Sequence, residues 1–249
     1  MPTVLITGCS SGFGLETAKL FLDKGWKVIA TMRHPRTDIL PAAESLTVLP
    51  LDITKPASIA NALERAGDID VLVNNAGFGA AVPIELIAPE TARDLFETNT
   101  LGTLAMLQAV LPRFRARRSG TIINVTSTVT LKPLPLVSVY RASKAAVNAL
   151  TESLAVEMEP FGVRVHIVLP GRSLDTSFGS NAMPHLRGLD NPDYKPMIEG
   201  MIASFREDSG PVTHPADVAQ AVWQAATDSS APLKIPAGED AVQWMAEGR

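Results

Sequence analysis

Thr3-Val4-Leu5-Ile6-Thr7-Gly8-Cys9-Ser10-Ser11-Gly12-Phe13-Gly14 reads as a buried strand that turns directly into a helix. The run Val4–Ile6 has no polar face, as in a parallel strand covered on both sides. Three glycines then permit a tight turn and a close approach of backbone. The helical pattern that follows, Leu15–Lys24, offers free amide groups to an anion at its N-terminus. Further short apolar runs at Lys27–Ala30, Thr47–Leu51, Val71–Val73, Thr121–Val125 and Val163–Leu169 read as strands. Helical patterns alternate with them at Pro56–Ala66, Thr91–Arg117 and Val139–Glu159, and Gly25 and Gly162 act as helix stops. This alternation predicts an α/β fold: an open, doubly wound parallel sheet with helices on both faces.

At 249 residues the chain fits one α/β domain or two small ones, with a large core, and with no linker or internal repeat in it a single domain, 1–249, is expected. Apolar residues make up 46% and charged residues 19%, the balance of a globular protein in water. A net charge of −4 gives no basis for nucleic acid or an anionic membrane as a partner. Arg113, Arg115, Arg117 and Arg118 close a helix, where cations complement the carboxyl end of the dipole. Cys9 is the only cysteine, and His34, His166, His185 and His214 have no ligand spacing, so no metal site is expected. No apolar run reaches the roughly 20 residues of a membrane span, and the expected location is cytoplasmic.

One stretch breaks the strand-helix rhythm. Ser173–Gly210 is rich in Gly, Pro and Asn but carries Leu186, Leu189, Tyr194, Met197, Met201 and Phe205, with a helical apolar face over Pro196–Arg206. A long insertion between regular elements is usually functional, so 173–210 is expected to be a substrate loop or lid. Met197, Met201 and Phe205 would form its adaptable apolar wall.

The G-x-x-x-G-x-G spacing at Gly8, Gly12 and Gly14 suits a nucleotide pyrophosphate, although tight strand-to-helix turns also use glycine without any ligand. The second strand ends Thr31-Met32-Arg33. An acid there would bind the ribose 2′-hydroxyl of NAD, whereas an Arg accommodates the 2′-phosphate of NADP. Arg33 therefore points to NADP(H), with NAD less favoured; an exposed loop Arg is the competing reading. Asp52 can accept a bond from the adenine amino group, or it can cap the helix from Pro56. Asn74-Asn75-Ala76-Gly77 ends the fourth strand at the same sheet edge, where it ties neighbouring loops to a cofactor or forms a bare turn.

Tyr140 and Lys144 stand one turn apart on the last long helix and so share a face. A neighbouring cation favours the phenolate, and lowering a phenol's pKa by about 3 requires roughly 4 kcal/mol. The product is a proton donor and acceptor usable near neutrality. Ser127 ends an apolar strand, where its hydroxyl can donate toward a developing oxyanion. Asn99 lies in a helical stretch, an unfavourable place for Asn unless its side chain has a task. Thr126, Ser138 and Ser143 read as structural neighbours.

Taken together, Thr7–Gly14, Asn74–Gly77, Asn99, Ser127, Tyr140, Lys144 and Pro170-Gly171 resemble, in order and spacing, the short-chain dehydrogenase/reductase family in its single-domain form. The resemblance covers residues 3–176. It implies an NAD(P)-dependent oxidoreductase acting on CH-OH and C=O groups, with a Rossmann-like sheet of about seven strands. The implied catalytic set is Ser127, Tyr140, Lys144 and Asn99. Tyr140 is the acid/base, Ser127 holds the substrate oxygen, Lys144 binds the nicotinamide ribose and lowers the Tyr140 pKa, and Asn99 holds a water. The implied cofactor set is Gly8, Ser10, Ser11, Gly12, Phe13, Gly14, Arg33, Asp52, Ile53, Asn75, Ala76, Gly77, Tyr140, Lys144, Pro170, Gly171, Ser173 and Thr176. The chain departs from the family in two places. Arg172-Ser173-Leu174-Asp175 set Thr176 one position late after Gly171. The ending Val-Asp-Gly-Gly is replaced by Lys234-Ile235-Pro236-Ala237-Gly238-Glu239-Asp240-Ala241, which resembles the steroid- and retinol-dehydrogenase-like branch.

The expected activity is NADPH-dependent reduction of a hydrophobic ketone or aldehyde, reversible as an alcohol dehydrogenase, in a homo-oligomer (dimer or tetramer). A specialised steroid, retinoid or 3-oxoacyl-thioester reductase is the alternative. The thioester option finds only Arg172, Arg187 and Lys195 near the loop to meet a phosphopantetheine arm. A sensor that holds NADP without turnover is a third reading, set against the retention of both Tyr140 and Lys144.

Overall fold

The computed structural model describes residues 1–176, 182–207 and 210–247. All its strands are parallel and form one seven-stranded sheet, ordered β3-β2-β1-β4-β5-β6-β7. The strands are β1 (Thr3–Ile6), β2 (Lys27–Met32), β3 (Leu46–Pro50), β4 (Val71–Asn74), β5 (Gly120–Val125), β6 (Val163–Pro170) and β7 (Lys234–Ala237). The strand order reverses between β1 and β4, so the carboxyl ends of these two strands open a crevice.

Strand periodicity fills both faces. Val4 and Ile6 point to one side with Val28, Val73, Val125 and Val168; Leu5 points to the other with Ile29, Leu72 and Ile122. The first face is covered by α1 (Gly12–Asp23) and α7 (Pro215–Thr227), through Phe21, Val218 and Val222. The second is covered by α2 (Pro56–Ala66), α4 (Thr103–Arg117) and α5 (Ser138–Met158), through Leu63, Met106, Phe114 and Leu154. Burial on both sides explains why the apolar runs are unbroken.

Three features differ from the sequence reading. The single helix expected over Thr91–Arg117 is α3 (Pro89–Phe96), a π-helical segment Glu97–Gly102, and α4. π-segments mark places where a helix is interrupted to aim a side chain, and this one carries Asn99. The seventh strand, β7, has no apolar run to announce it; Lys234–Ala237 pairs with Ile167–Pro170 of β6. A final helix, α8 (Glu239–Glu247), follows β7 with no expectation from the sequence, whereas the helical face read over Pro196–Arg206 is present as α6 (Lys195–Glu207).

The arginine cluster behaves as a helix end. Arg113 donates to Gly67 O at 3.2 Å and Arg117 to Ser119 O at 2.8 Å, which staples the turns that lead into β4 and β5.

Candidate active site

A cleft of about 700 Å³ runs along the sheet edge at the switch between β1 and β4. Its floor is the turn Gly8–Phe13. The Thr7 hydroxyl accepts the amides of Asn75 and Ala76, each at 2.9 Å, and the Asn75 side-chain amide donates to Thr7 O at 2.9 Å and Gly8 O at 3.2 Å. These bonds lock the β1 turn to the β4 turn. Gly14 completes the packing, because a Cβ there would stand 2.4 Å from Gly8 O. The exposed amide end of α1, bare backbone and a locked turn make a cradle that fits a pyrophosphate.

At one end of the cleft lie Arg33, beyond β2, and Asp52 and Ile53, beyond β3. Arg33 is exposed. Burial pushes the Asp52 carboxyl up, but bonds from the Thr54 hydroxyl (2.7 Å) and amide (3.0 Å), with Lys55 and Arg33 nearby, hold it below the usual range. Asp52 thus braces the turn before α2 and also lines the cleft.

At the other end, Tyr140 and Lys144 stand one turn apart on α5, both buried. Lys144 Nζ donates to Val125 O at 3.0 Å, at the end of β5. Ser127, just beyond that strand, accepts the Val129 amide at 3.3 Å and hydrogen-bonds the Tyr140 phenol. Burial pushes Tyr140 up to about 12, and the Ser127 bond pulls against it. Burial alone brings Lys144 down to about 8. The lowering of Tyr140 by Lys144 expected from the sequence is therefore not found: the low-dielectric surroundings disfavour the charged form of both groups.

Asn99 sits behind Gly77. A Cβ on Gly77 would stand 2.8 Å from Asn99 Oδ1 and 3.2 Å from Lys144 Nζ. Its Oδ1 accepts the Phe78 amide at 3.0 Å, and its Nδ2 donates to Phe78 O at 2.9 Å and Ser143 Oγ at 3.0 Å. Both side-chain N–H donors are engaged, so the side chain clamps the β4 turn to α5. Ser143 is the structural neighbour expected, with Oγ donating to Tyr140 O at 2.7 Å.

Gly8, Ser10, Ser11, Gly12, Phe13, Arg33, Asp52, Ile53, Asn75, Ala76, Gly77, Tyr140, Lys144 and Thr176 all line this cleft. Gly14, Asn99 and Ser127 are not among its lining residues; Pro170 ends β6, and Gly171 and Ser173 occupy the bend that follows. The Ser173 hydroxyl is buried with no hydrogen-bond partner among the described residues. Thr7 was missed as a hub, although it stands directly before Gly8. Phe78 and His185 also line the cleft, their rings 5.4 Å apart; His185 carried no sequence signal.

The long insertion reaches the cleft through Thr176 and His185, among the described residues, and not through the methionines expected to form its wall. On α6 the fully buried residue is Ile198, next to Gly188, which leaves the adjacent Met197 47% exposed. The Phe205 side chain lies outside the described residues. Tyr194 anchors the segment by donating to Glu85 at 2.6 Å. No group of His, Cys, Asp and Glu among the described residues could hold a metal ion, and none of their helices is long and apolar enough to cross a membrane.

Residues 2–185 match the family pattern described as short chain dehydrogenase. The chain is 34% identical to human retinol dehydrogenase 8 over 252 residues, covering 93% of this chain and 80% of that one. It is 33% identical to 3-ketodihydrosphingosine reductase from Bacteroides thetaiotaomicron over 240 residues, covering 94% and 87%. A short chain dehydrogenase from Burkholderia cenocepacia, solved in complex with NADP, superposes with a TM-score of 0.78 at 30% identity, covering 99% of this chain and 92% of that one.

Proposed function

The chain belongs to the short chain dehydrogenase family, oxidoreductases of alcohol and carbonyl groups, and from that premise we propose that it reduces a hydrophobic ketone or aldehyde with NADPH, reversibly. The observation that carries this reading is the buried pair Tyr140 and Lys144 at one end of a cleft whose other end carries Arg33, with the buried Ser127 hydrogen-bonded to Tyr140. The dinucleotide, when bound, supplies the hydride. The protein's part is to hold the carbonyl and deliver the proton. Tyr140, protonated up to about pH 12, is a donor throughout the working range. Ser127 bonds its phenol and can direct a second donor to the same oxygen. Lys144, one turn away, places positive charge where the oxyanion develops as long as it keeps its own proton.

NADP(H) in preference to NAD(H) is supported by Arg33 at the end of β2, where an acid would repel a 2′-phosphate. The NADP-bound Burkholderia relative is consistent with that preference. A specialised steroid or retinoid reductase is the second reading, favoured by the likeness to retinol dehydrogenase 8. A thioester carried on a phosphopantetheine arm finds less support: Arg187 is turned onto Pro184 O and Leu186 O, and Lys195 faces Glu199. Assembly as a homodimer or homotetramer belongs to the same proposal and is checked by light scattering.

The test is a spectrophotometric screen of NADPH oxidation over aliphatic, aryl and steroid ketones. Turnover with at least one class, abolished in Tyr140→Phe, is the expected result. No turnover with any class, or equal turnover in Tyr140→Phe, overturns the proposal.

A further inference from the structure

Beneath the end of β6 lies a buried carboxylate to which the proposed chemistry gives no role. Asp240, in the first turn of α8, is 6% exposed. Its Oδ2 accepts the Arg172 amide at 2.6 Å, and its Oδ1 accepts the Thr213 hydroxyl at 2.7 Å. Thr213 Oγ1 accepts the Gly171 amide at 2.9 Å and lies 2.8 Å from Ala237 O, while the Thr213 amide donates to Arg172 O at 2.7 Å. Gly171 makes this possible: a Cβ there would stand 2.1 Å from Asp240 Oδ2. The bend is also held at its far end, where Asp175 Oδ2 lies 2.7 Å from Nδ1 of His214, the residue next to Thr213. Beyond Asp175, Thr176 lines the cleft and lies against Gly12, whose added Cβ would come within 3.3 Å of it. Two points distant in sequence, Thr213-His214 and Asp240, therefore grip a bend that belongs to neither.

We propose that Asp240, acting through Thr213, is a positioning residue: it sets the bend Gly171–Asp175 so that the cleft holds the nicotinamide half of a dinucleotide, with no bearing on the adenine half. The inference rests on reading the cleft as an NADP(H) site. The selectivity follows from topology. Arg33 and Asp52 flank β2 and β3, whereas the bend leaves β6. In the strand order β2-β1-β4-β5-β6 the gap from β2 to β6 is on the order of 19 Å at the usual strand spacing. A shift in the bend reaches Tyr140 and Lys144 before it reaches Arg33. Both Asp240 oxygens accept. In Asp240→Asn one amide oxygen can still accept the Arg172 N–H, but the amide N–H then faces Thr213 Oγ1, whose single proton goes to Ala237 O instead, so the charge-assisted bond that ties Thr213 to α8 is lost.

Calorimetric titration separates the two halves of the ligand. NADPH and adenosine 2′,5′-bisphosphate, which keeps only the adenine half, are titrated into wild type, Asp240→Asn, Thr213→Val and Thr213→Ser, with melting curves on each. One lost charge-assisted bond should raise the NADPH Kd about tenfold in Asp240→Asn and Thr213→Val. The fragment's Kd should stay within about twofold, and Thr213→Ser, which keeps the hydroxyl, should match wild type. Parallel weakening of both ligands, or no change for either in a folded Thr213→Val, overturns the inference. Wild type that binds neither ligand, nor NADH and ADP-ribose in a parallel run, overturns the cleft reading itself.

Discussion

The ammonium of Lys144 donates to the main-chain carbonyl of Val125 at 3.0 Å, which fixes the cation to the end of β5. Val125 is paired in register with Val168 of β6, and the Thr126 amide continues the ladder to Val168 O at 2.8 Å. The charge on α5 is thereby held by the central sheet. The fold carries this group at a cost, and burial of Lys144 and Tyr140 together shapes what the site does with pH.

Tyr140→Phe should remove at least 99% of reductive turnover, on the order of the loss expected for a general acid. The NADPH Kd should change less than about threefold, because only the phenol hydroxyl is deleted and the ring stays in place. Stopped-flow turnover and fluorescence titration measure the two quantities; substantial residual activity would move the acid elsewhere.

In the reductive direction, kcat/KM should be level at neutral pH and fall as pH rises through about 8, where Lys144 loses its proton while Tyr140, at about 12, keeps its own. In the oxidative direction the phenol must act as base, so the rate should climb with pH at first, until loss of the Lys144 charge flattens it. Rate profiles measured in both directions test the pair; a reductive rate that rises above pH 8 contradicts it.

Lys144→Met should abolish turnover and stabilise the fold. Bringing an ammonium from 10.5 down to about 8 costs the native state roughly 3 kcal/mol at neutral pH. That penalty is full below pH 8 and is relieved between 8 and 10.5, where the unfolded chain binds the proton that the folded chain has lost. After allowance for the unpaired Val125 carbonyl, a net gain of about 2 kcal/mol is expected at pH 7, shrinking toward pH 10. Urea melts at both pH values check it.

Arg33→Ala should raise KM for NADPH by about 10- to 100-fold and hardly alter that for NADH, since one charge-assisted phosphate contact is worth about 1.5–3 kcal/mol. Comparable kcat/KM for both cofactors in wild type would refute the assignment.

Asn99→Ala should lower stability by about 2–3 kcal/mol, because it leaves the Phe78 amide and carbonyl without their partners at 3.0 and 2.9 Å. Chemical denaturation measures this, and a change under about 0.5 kcal/mol would mean that Phe78 finds other partners.

The sequence by itself determined the layered architecture and the location of the cleft. Unbroken apolar runs can be satisfied only by a sheet covered on both faces, and the glycine turn after Ile6 has few other conformations. Periodicity and turn chemistry are local, so they survive without knowledge of distant partners. Many residues at the cleft were legible for the same reason, since they follow strand ends, whereas Tyr140 and Lys144 were legible through their one-turn spacing on α5. What the tertiary structure decided depends on contacts between remote segments. The π-segment at Glu97–Gly102 carries Asn99, which meets Phe78 and Ser143 from distant parts of the chain, and β7 is defined by the pairing of Lys234–Ala237 with the edge of β6. Burial also reversed the expected electrostatics: a lysine read as a source of positive charge for Tyr140 is itself desolvated, and Tyr140 rises instead of falling. Spacing along a helix places two groups on one face, but how much water remains around them is set by everything packed against that face.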